Sequence, residues 1–376
     1  MNVITTEPVP IKVWAENVED GALAQARNLA HLPSVYKWVA LMPDCHVGYG
    51  MPIGGVLATT GLIIPNAVGV DIGCGMVAVL FDTPPPDTDE LKRIMGIVRK
   101  EIPVGFGHHG EPQAWDGFEW APDLPVIQQE LASARKQLGT LGGGNHFIEF
   151  QVDDTGKFGI MLHSGSRNFG LKVAGTYHKI ASALCERWHV VLPDSELAYL
   201  PVETREAQDY LAAMNYALDF AKANRAHMMQ AVLDIVGLAP VDSVNIHHNY
   251  AAIEHHFGRN VWVHRKGATS ARVGERGIIP GSMGTASYIV EGLGNPASFT
   301  SCSHGAGRRM GRKQASRTLD LTAEQAKMAG IVHGLRNASD LDEAPGAYKD
   351  IDVVMAAQQD LVSIVSKRLP LGSIKG

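Results

Sequence analysis

The stretch IIPNAVGVDIGCGMVAVLF, residues 63–81, decides how the rest of the chain is read. Its second half, MVAVLF at 76–81, is a short apolar run bounded by glycine, the pattern of a strand in a sheet-rich core. Its first half sets a carboxylate, Asp71, three residues from a thiol, Cys74, with Gly73 and Gly75 beside the cysteine so that the backbone can turn tightly. A carboxylate and a thiolate brought together favour a divalent transition metal. On these residues alone a second reading stands beside that one, with Cys74 a small buried hydrophobe and Asp71 a turn residue.

Outward from this segment the strand pattern recurs at IKVWA (11–15), KWVALM (37–42), GVLATT (55–60), FIEFQ (147–151) and FGIML (158–162). It returns at SVNIHH (243–248), NVWVHR (260–265) and ASYIV (286–290). Helices are expected over 88–101, where Asp87 and Glu90 resemble a capping box, over 204–236, and over 322–336 and 350–367. The tail LPLGSIKG follows. Residues 107–124 have no period and are rich in Gly, Pro and Asp, which predicts a surface loop excursion. No repeat or low-complexity linker divides residues 1–376, so the expectation is one α+β domain, sheet-rich and mixed, with flanking helices.

With 376 residues, 45% hydrophobic and 19% charged, the chain can bury a substantial core and is not disordered. A net charge of −6 argues against a general nucleic-acid coat, so a polyanion partner must be held by a local patch. Four scattered cysteines, Cys45, Cys74, Cys185 and Cys302, suggest a reducing compartment. No apolar run reaches the roughly 20 residues that span a bilayer, and the N-terminus lacks a signal pattern; a cytoplasmic location without membrane partners is expected. Forty glycines and 16 histidines then carry the chemistry.

LGGGNHFIEF presents Asn145 and His146 after three glycines, and MLHSGSRNFG places His163 before Ser164, Gly165, Ser166 and Arg167, groups suited to phosphate. VNIHHNY offers His247, His248 and Asn249; strand neighbours face opposite ways, so at most one of the two histidines reaches a shared site. IIPGSMGTASYIV forms a loop of Pro280, Gly281, Ser282, Met283, Gly284 and Ser287 whose amides can cradle an anion or a base edge, without the lysine of a P-loop. SCSHGAGRRMGRKQASR sets His304 before Gly305, Ala306 and Gly307, then adds Arg308, Arg309, Arg312, Lys313 and Arg317 with no acidic residue between. The basic run also suits a solvated helix face. The lysine motif K-x-D-G of ATP-dependent polynucleotide ligases is absent.

These blocks, with MPDCHVGYGMPIGGV, HRKGATSAR and AYKDID, closely resemble the RtcB family of RNA ligases, in the same order from about residue 10 to the end. The resemblance implies an RtcB-like fold and a GTP- and manganese-dependent ligase that joins RNA 3′-phosphate or 2′,3′-cyclic phosphate ends to 5′-hydroxyl ends. It implies Asp71, Cys74, His146, His163 and His248 as ligands of two Mn²⁺ ions, with Cys74 bridging. His304 is similar to the family's guanylylated nucleophile. Asn145, Glu149, Asn249, Pro280, Gly281, Ser282, Met283, Ser287, Gly305, Ala306, Gly307, Tyr348 and Lys375 correspond to the guanylate-binding set, and Arg167 to a holder of an RNA phosphate. Cys45, beside Asp44 and His46, departs from the family pattern and is read as packing. RNA is the implied partner; an accessory activator is open, as is the choice between a monomer and a small homo-oligomer. A metal-dependent phosphoesterase or nuclease acting on RNA ends is the competing reading, because the same ligands could activate water without a guanylate pocket.

Overall fold

The computed structural model describes residues 1–376 as an α+β arrangement of two large sheets with helices packed around them. One sheet has the strand order Asn2–Ile4, Ile11–Val13, Val35–His46, Ile53–Thr59, Arg259–Lys266, Asn249–His256. Its only parallel pairing joins Ile11–Val13 to Val35–His46. The other, antiparallel throughout, runs Asp242–His247, Gly75–Leu80, Phe158–Ser164, Phe147–Asp153, Val362–Lys375, Ser287–Gly292, Arg276–Ile279.

The strand Gly75–Leu80 is apolar without interruption because both of its faces are covered. Val77 and Val79 join Leu91, Ile94, Met95 and Val98 of the helix Thr88–Glu101 and Met228, Met229 and Val232 of the helix Arg205–Val236. Met76 and Ala78 point the other way, onto Met161, Val244, Ile278 and Ile289. Gly75 lies so close to the neighbouring strand that a Cβ there would meet the Ile246 carbonyl oxygen at 2.0 Å. The largest apolar cluster, 43 buried residues, forms around the helices Asp20–Ala30, Arg167–Arg187 and Arg205–Val236.

The expected strands all form, most within a few residues of the sequence reading. KWVALM extends to Val35–His46, which makes Pro43, Asp44, Cys45 and His46 part of the strand. The helix expected over 350–367 is corrected to Ile351–Ala356, followed by the 14-residue strand Val362–Lys375. β-Branched Val362, Ile364 and Val365 favour extended backbone, and Pro370 cannot continue a helix. The helix expected over 322–336 ends at Lys327, with Gly330 in the left-handed region at φ +83°. Asp87 caps its helix through the Asp89 and Glu90 amides, whereas Glu90 turns outward to Arg93 instead of closing a capping box.

The 107–124 excursion is irregular but pinned. It contains the 3₁₀ turn Asp116–Phe118, and Trp115 packs against Tyr216 and Phe220 with ring centroids 5.6 and 5.8 Å apart. Three helices, Asp20–Ala30, Pro125–Gln137 and Arg167–Arg187, lie where the sequence reading placed none. No helix is long and apolar enough to cross a membrane.

Candidate active site

The chain crosses from one sheet to the other between His247 and Asn249, and His248 sits at that junction. Its N–H donates to the Cys74 carbonyl at 2.9 Å, fastening it to the loop that carries Asp71 and Cys74. His163 arrives from the strand Phe158–Ser164 and His146 from the residue before Phe147–Asp153. Cys74 Sγ lies 3.2 Å from His163 Nε2 and 3.5 Å from His146 Nε2; His163 Nε2 is 3.3 Å from His248 Nε2, and His146 Nε2 is 3.2 Å from Asp71 Oδ2. Two ligand groups result, Cys74–His163–His248 and Asp71–Cys74–His146, with Cys74 common to both.

The tautomers follow from the backbone. His146 Nδ1 faces the Leu141 carbonyl at 2.9 Å and His163 Nδ1 the Asn145 carbonyl at 3.1 Å, so both must donate there and leave Nε2 lone pairs aimed at Cys74. Burial, reinforced by neighbouring imidazoles, pushes His163 and His248 far below the usual histidine range, and both rings are neutral at pH 7. Burial, then the Asp71 charge, raises the Cys74 thiol. Converging lone pairs, a buried thiol and the unpartnered Asp71 Oδ1 and His248 Nδ1 fit a bound cation, which would turn mutual repulsion into coordination and ionise the thiol. His247 faces away: its Nδ1 accepts from Arg225 Nη2 at 3.0 Å. Arg225 also donates to the Gly73 and Ser164 carbonyls and so braces the backbone beside two ligands.

His304 follows the strand Ser301–Ser303, its ring centroid 4.7 Å from that of His248. Fully buried Asp44 Oδ2 accepts from both His304 Nδ1, at 2.6 Å, and the His304 amide, at 3.1 Å. Burial alone would raise the Asp44 carboxyl, but the adjoining His304 ring holds it below the ordinary value. Nδ1 is therefore the nitrogen that donates to Asp44, and Nε2 is the one the carboxylate does not engage. Gly307 makes this packing possible: its φ is +74°, and a Cβ would meet the Asp44 carbonyl at 2.1 Å. The sequence reading noted Asp44 only as a neighbour of Cys45; its partnership with a residue 260 positions away had no local signal.

A cleft of about 920 Å³ joins these groups. Its lining includes Asp71, Cys74, Asn145, Glu149, His163, His248, Asn249, Pro280, Gly281, Ser282, Met283, His304, Gly305, Ala306, Gly307, Tyr348 and Lys375. His146, Ser287 and Arg167 stand outside that lining. Ser287 Oγ accepts from the Gly281 amide at 3.2 Å, shaping the loop from behind. Arg167 donates to Thr140 Oγ1 and the Gly105 carbonyl, both at 3.2 Å; burial lowers its guanidinium, opposed by the Asp71 charge. Asn249 bridges the Asp71 carbonyl and the Gly267 amide at 3.0 and 2.7 Å. Cys45 packs in the large apolar cluster.

The basic run does not form a simple solvated face. Arg308 and Arg312 ion-pair with buried Glu343 at 3.1 and 2.8 Å, and only Arg312–Thr318 is helical. The C-terminal strand buries Ile374 and brings Lys375 to the cleft, 3.9 Å from Glu343. Glu149, on the adjacent strand, has its carboxyl pushed up to about 7 by burial.

A mixed fold with paired metal-type ligand groups, an Asp-oriented histidine and a basic wall has the equipment of a phosphate-handling enzyme. Residues 25–376 match the family described as tRNA-splicing ligase RtcB. The RNA-splicing ligase RtcB of Escherichia coli K12 is 40% identical over 406 aligned positions, covering 100% of this chain and 99% of that protein. The tRNA-splicing ligase RtcB of Pyrobaculum aerophilum is 34% identical, covering 98% of this chain and 95% of its own. The RNA-splicing ligase RtcB of Mycobacterium tuberculosis H37Rv is 34% identical over 94% of this chain and 100% of its own. The chain belongs to the RtcB family.

Proposed function

We propose that the protein is a GTP- and manganese-dependent ligase that seals RNA 3′-phosphate or 2′,3′-cyclic phosphate ends to 5′-hydroxyl ends through a guanylylated His304. The observation that carries the reading is the His304–Asp44 pair: Nδ1 is locked onto a buried carboxylate 2.6 Å away, beside the Cys74–His163–His248 group. With Nδ1 so held, Nε2 is the nitrogen placed to attack phosphorus, and the carboxylate stabilises the positive charge the ring acquires in doing so. Gly305, Ala306 and Gly307 leave room beside it for a nucleotide phosphate.

Asp71, Cys74, His146, His163 and His248 would hold two manganese ions, which when bound supply Lewis-acid stabilisation of charge on phosphate oxygens. Met283 and Tyr348 offer apolar and aromatic surface to a base, Glu149 and Lys375 an acceptor and a donor for its edge, and Arg308 and Arg312 charge for phosphates. A 2′,3′-cyclic end is first opened by water, which breaks the P–O2′ bond to leave a 3′-phosphate; the order of events is then GMP transfer from GTP to His304 with loss of pyrophosphate, transfer of GMP to the RNA 3′-phosphate, and attack of the 5′-hydroxyl with release of GMP. A defined RNA with 3′-phosphate and 5′-hydroxyl ends, incubated with enzyme, GTP and manganese, tests this. A sealed product that needs GTP supports the reading; end hydrolysis without joining, independent of GTP, overturns it in favour of a phosphoesterase.

A further inference from the structure

Four cleft groups drawn from three segments converge on one carboxylate. Glu343, 4% exposed, ends the 3₁₀ turn Ala338–Glu343. Its Oε1 accepts from Arg312 Nε at 2.8 Å and lies 3.1 Å from Arg308 Nη1. Its Oε2 accepts from the Tyr348 hydroxyl and lies 3.9 Å from Lys375 Nζ. All five residues line the cleft.

We propose that Glu343 is a positioning residue for guanylate binding, setting the plane of Tyr348 and the placement of Arg308, Arg312 and Lys375 before the nucleotide enters. The inference rests on the guanylate reading of this cleft. Holding the Tyr348 hydroxyl fixes the ring, and the Arg308 guanidinium lies 5.2 Å from its centroid on one face. A base can use a ring that is already fixed without losing entropy to order it. Glu343 gathers three cations, Arg308, Arg312 and Lys375, at one carboxylate, with Asp342 beside all three and Glu149 beside Lys375 as further negative charge. Arg308 Nη1 is buried and meets Glu343 Oε1 as a 3.1 Å ion pair without a well-aligned hydrogen bond. Burial alone would raise the Glu343 carboxyl, but Lys375, Arg308 and the Tyr348 hydroxyl hold it below its usual value, so it is ionised at pH 7.

The test is titration calorimetry of GMP, with manganese present, on the wild type, Glu343→Gln, Tyr348→Phe and the double variant, alongside metal content and thermal midpoint. Glu343→Gln is expected to weaken GMP about tenfold or more. Tyr348→Phe should reproduce part of that loss, and the double variant should fall short of the sum of the two, because they share one hydrogen bond. Metal content and midpoint should stay near wild type. GMP affinity within threefold of wild type in Glu343→Gln, or a lower midpoint with unchanged affinity, overturns the proposal by making Glu343 a stability element. Should Glu343→Gln fail to fold, Tyr348→Phe decides: unchanged GMP affinity refutes the role and weakened affinity sustains it. Wild-type protein that binds GMP but forms no covalent adduct would refute the His304 reading and leave this one standing; no GMP binding at all would refute both.

Discussion

Replacing Asp44 by Asn keeps the size of a fully buried side chain and removes only its charge and its acceptor-only character. In the native arrangement Oδ2 takes hydrogen bonds from His304 Nδ1 at 2.6 Å and from the His304 amide at 3.1 Å. A charge-assisted hydrogen bond of this kind contributes about 1.5–3 kcal/mol, or roughly 10- to 150-fold in rate if it is needed in the transition state. Asn adds a second penalty: its NH₂ can donate to Nδ1, moving the ring proton to Nε2 and removing the nucleophilic lone pair. Inversion of a catalytic histidine tautomer by the same substitution in a serine protease costs roughly 10⁴-fold. Asp44→Asn is therefore expected to slow formation of the guanylylated enzyme by about 10²- to 10⁴-fold, read in single-turnover experiments with GTP labelled at the α-phosphate. Manganese content should not change, because Asp44 belongs to neither ligand group. An adduct rate within threefold of wild type in a folded, metal-loaded variant would refute the tautomer argument.

Cys74→Ala should lower bound manganese, measured by elemental analysis, and stop both guanylylation and sealing, since Cys74 is common to both ligand groups; Cys185→Ala is the control. Removing Lys375 and Gly376 should raise the GTP concentration needed for adduct formation by about tenfold or more, where loss of two terminal residues ordinarily has no effect. Glu149, with its carboxyl near 7, should make GMP affinity rise as pH increases through about 7, because only the ionised form can accept on both oxygens from the base edge; Glu149→Gln should flatten that profile in calorimetry. The same shift makes the folded chain hold a proton that the unfolded chain has lost, so the stability it contributes is full below about 4.5 and disappears as pH rises through about 7. A pH-dependent denaturation series in which Glu149→Gln removes that decline checks the sign.

The strands were legible because their apolar runs and glycine boundaries are local, and Asp71 and Cys74 because three residues separate them. The fate of 350–367 was not, since VSIVSKRLPLGSIK becomes a strand by pairing with Ser287–Gly292 on one side and Phe147–Asp153 on the other. That pairing also explains Lys375: Ile374 buried in the apolar cluster of Leu91 and Met95 anchors the strand end, and the next residue faces the cleft. The helix Arg167–Arg187 had no clear local signal, since Gly170 and Gly175 interrupt its apolar pattern and its burial comes from tertiary packing. Asp44 and Glu343 were invisible for another reason. Each is an ordinary carboxylate in sequence, and its role lies wholly in partners brought from elsewhere, His304 for one and Arg308, Arg312, Tyr348 and Lys375 for the other.

The central claim is that His304 carries the guanylate, and peptide mapping of the enzyme after incubation with GTP and manganese tests it most directly. The account predicts a single GMP mass increment on the peptide containing Ser303-His304-Gly305, stable to base, lost in acid and absent in His304→Ala. A GMP increment on any other residue, or one retained in His304→Ala, would contradict it.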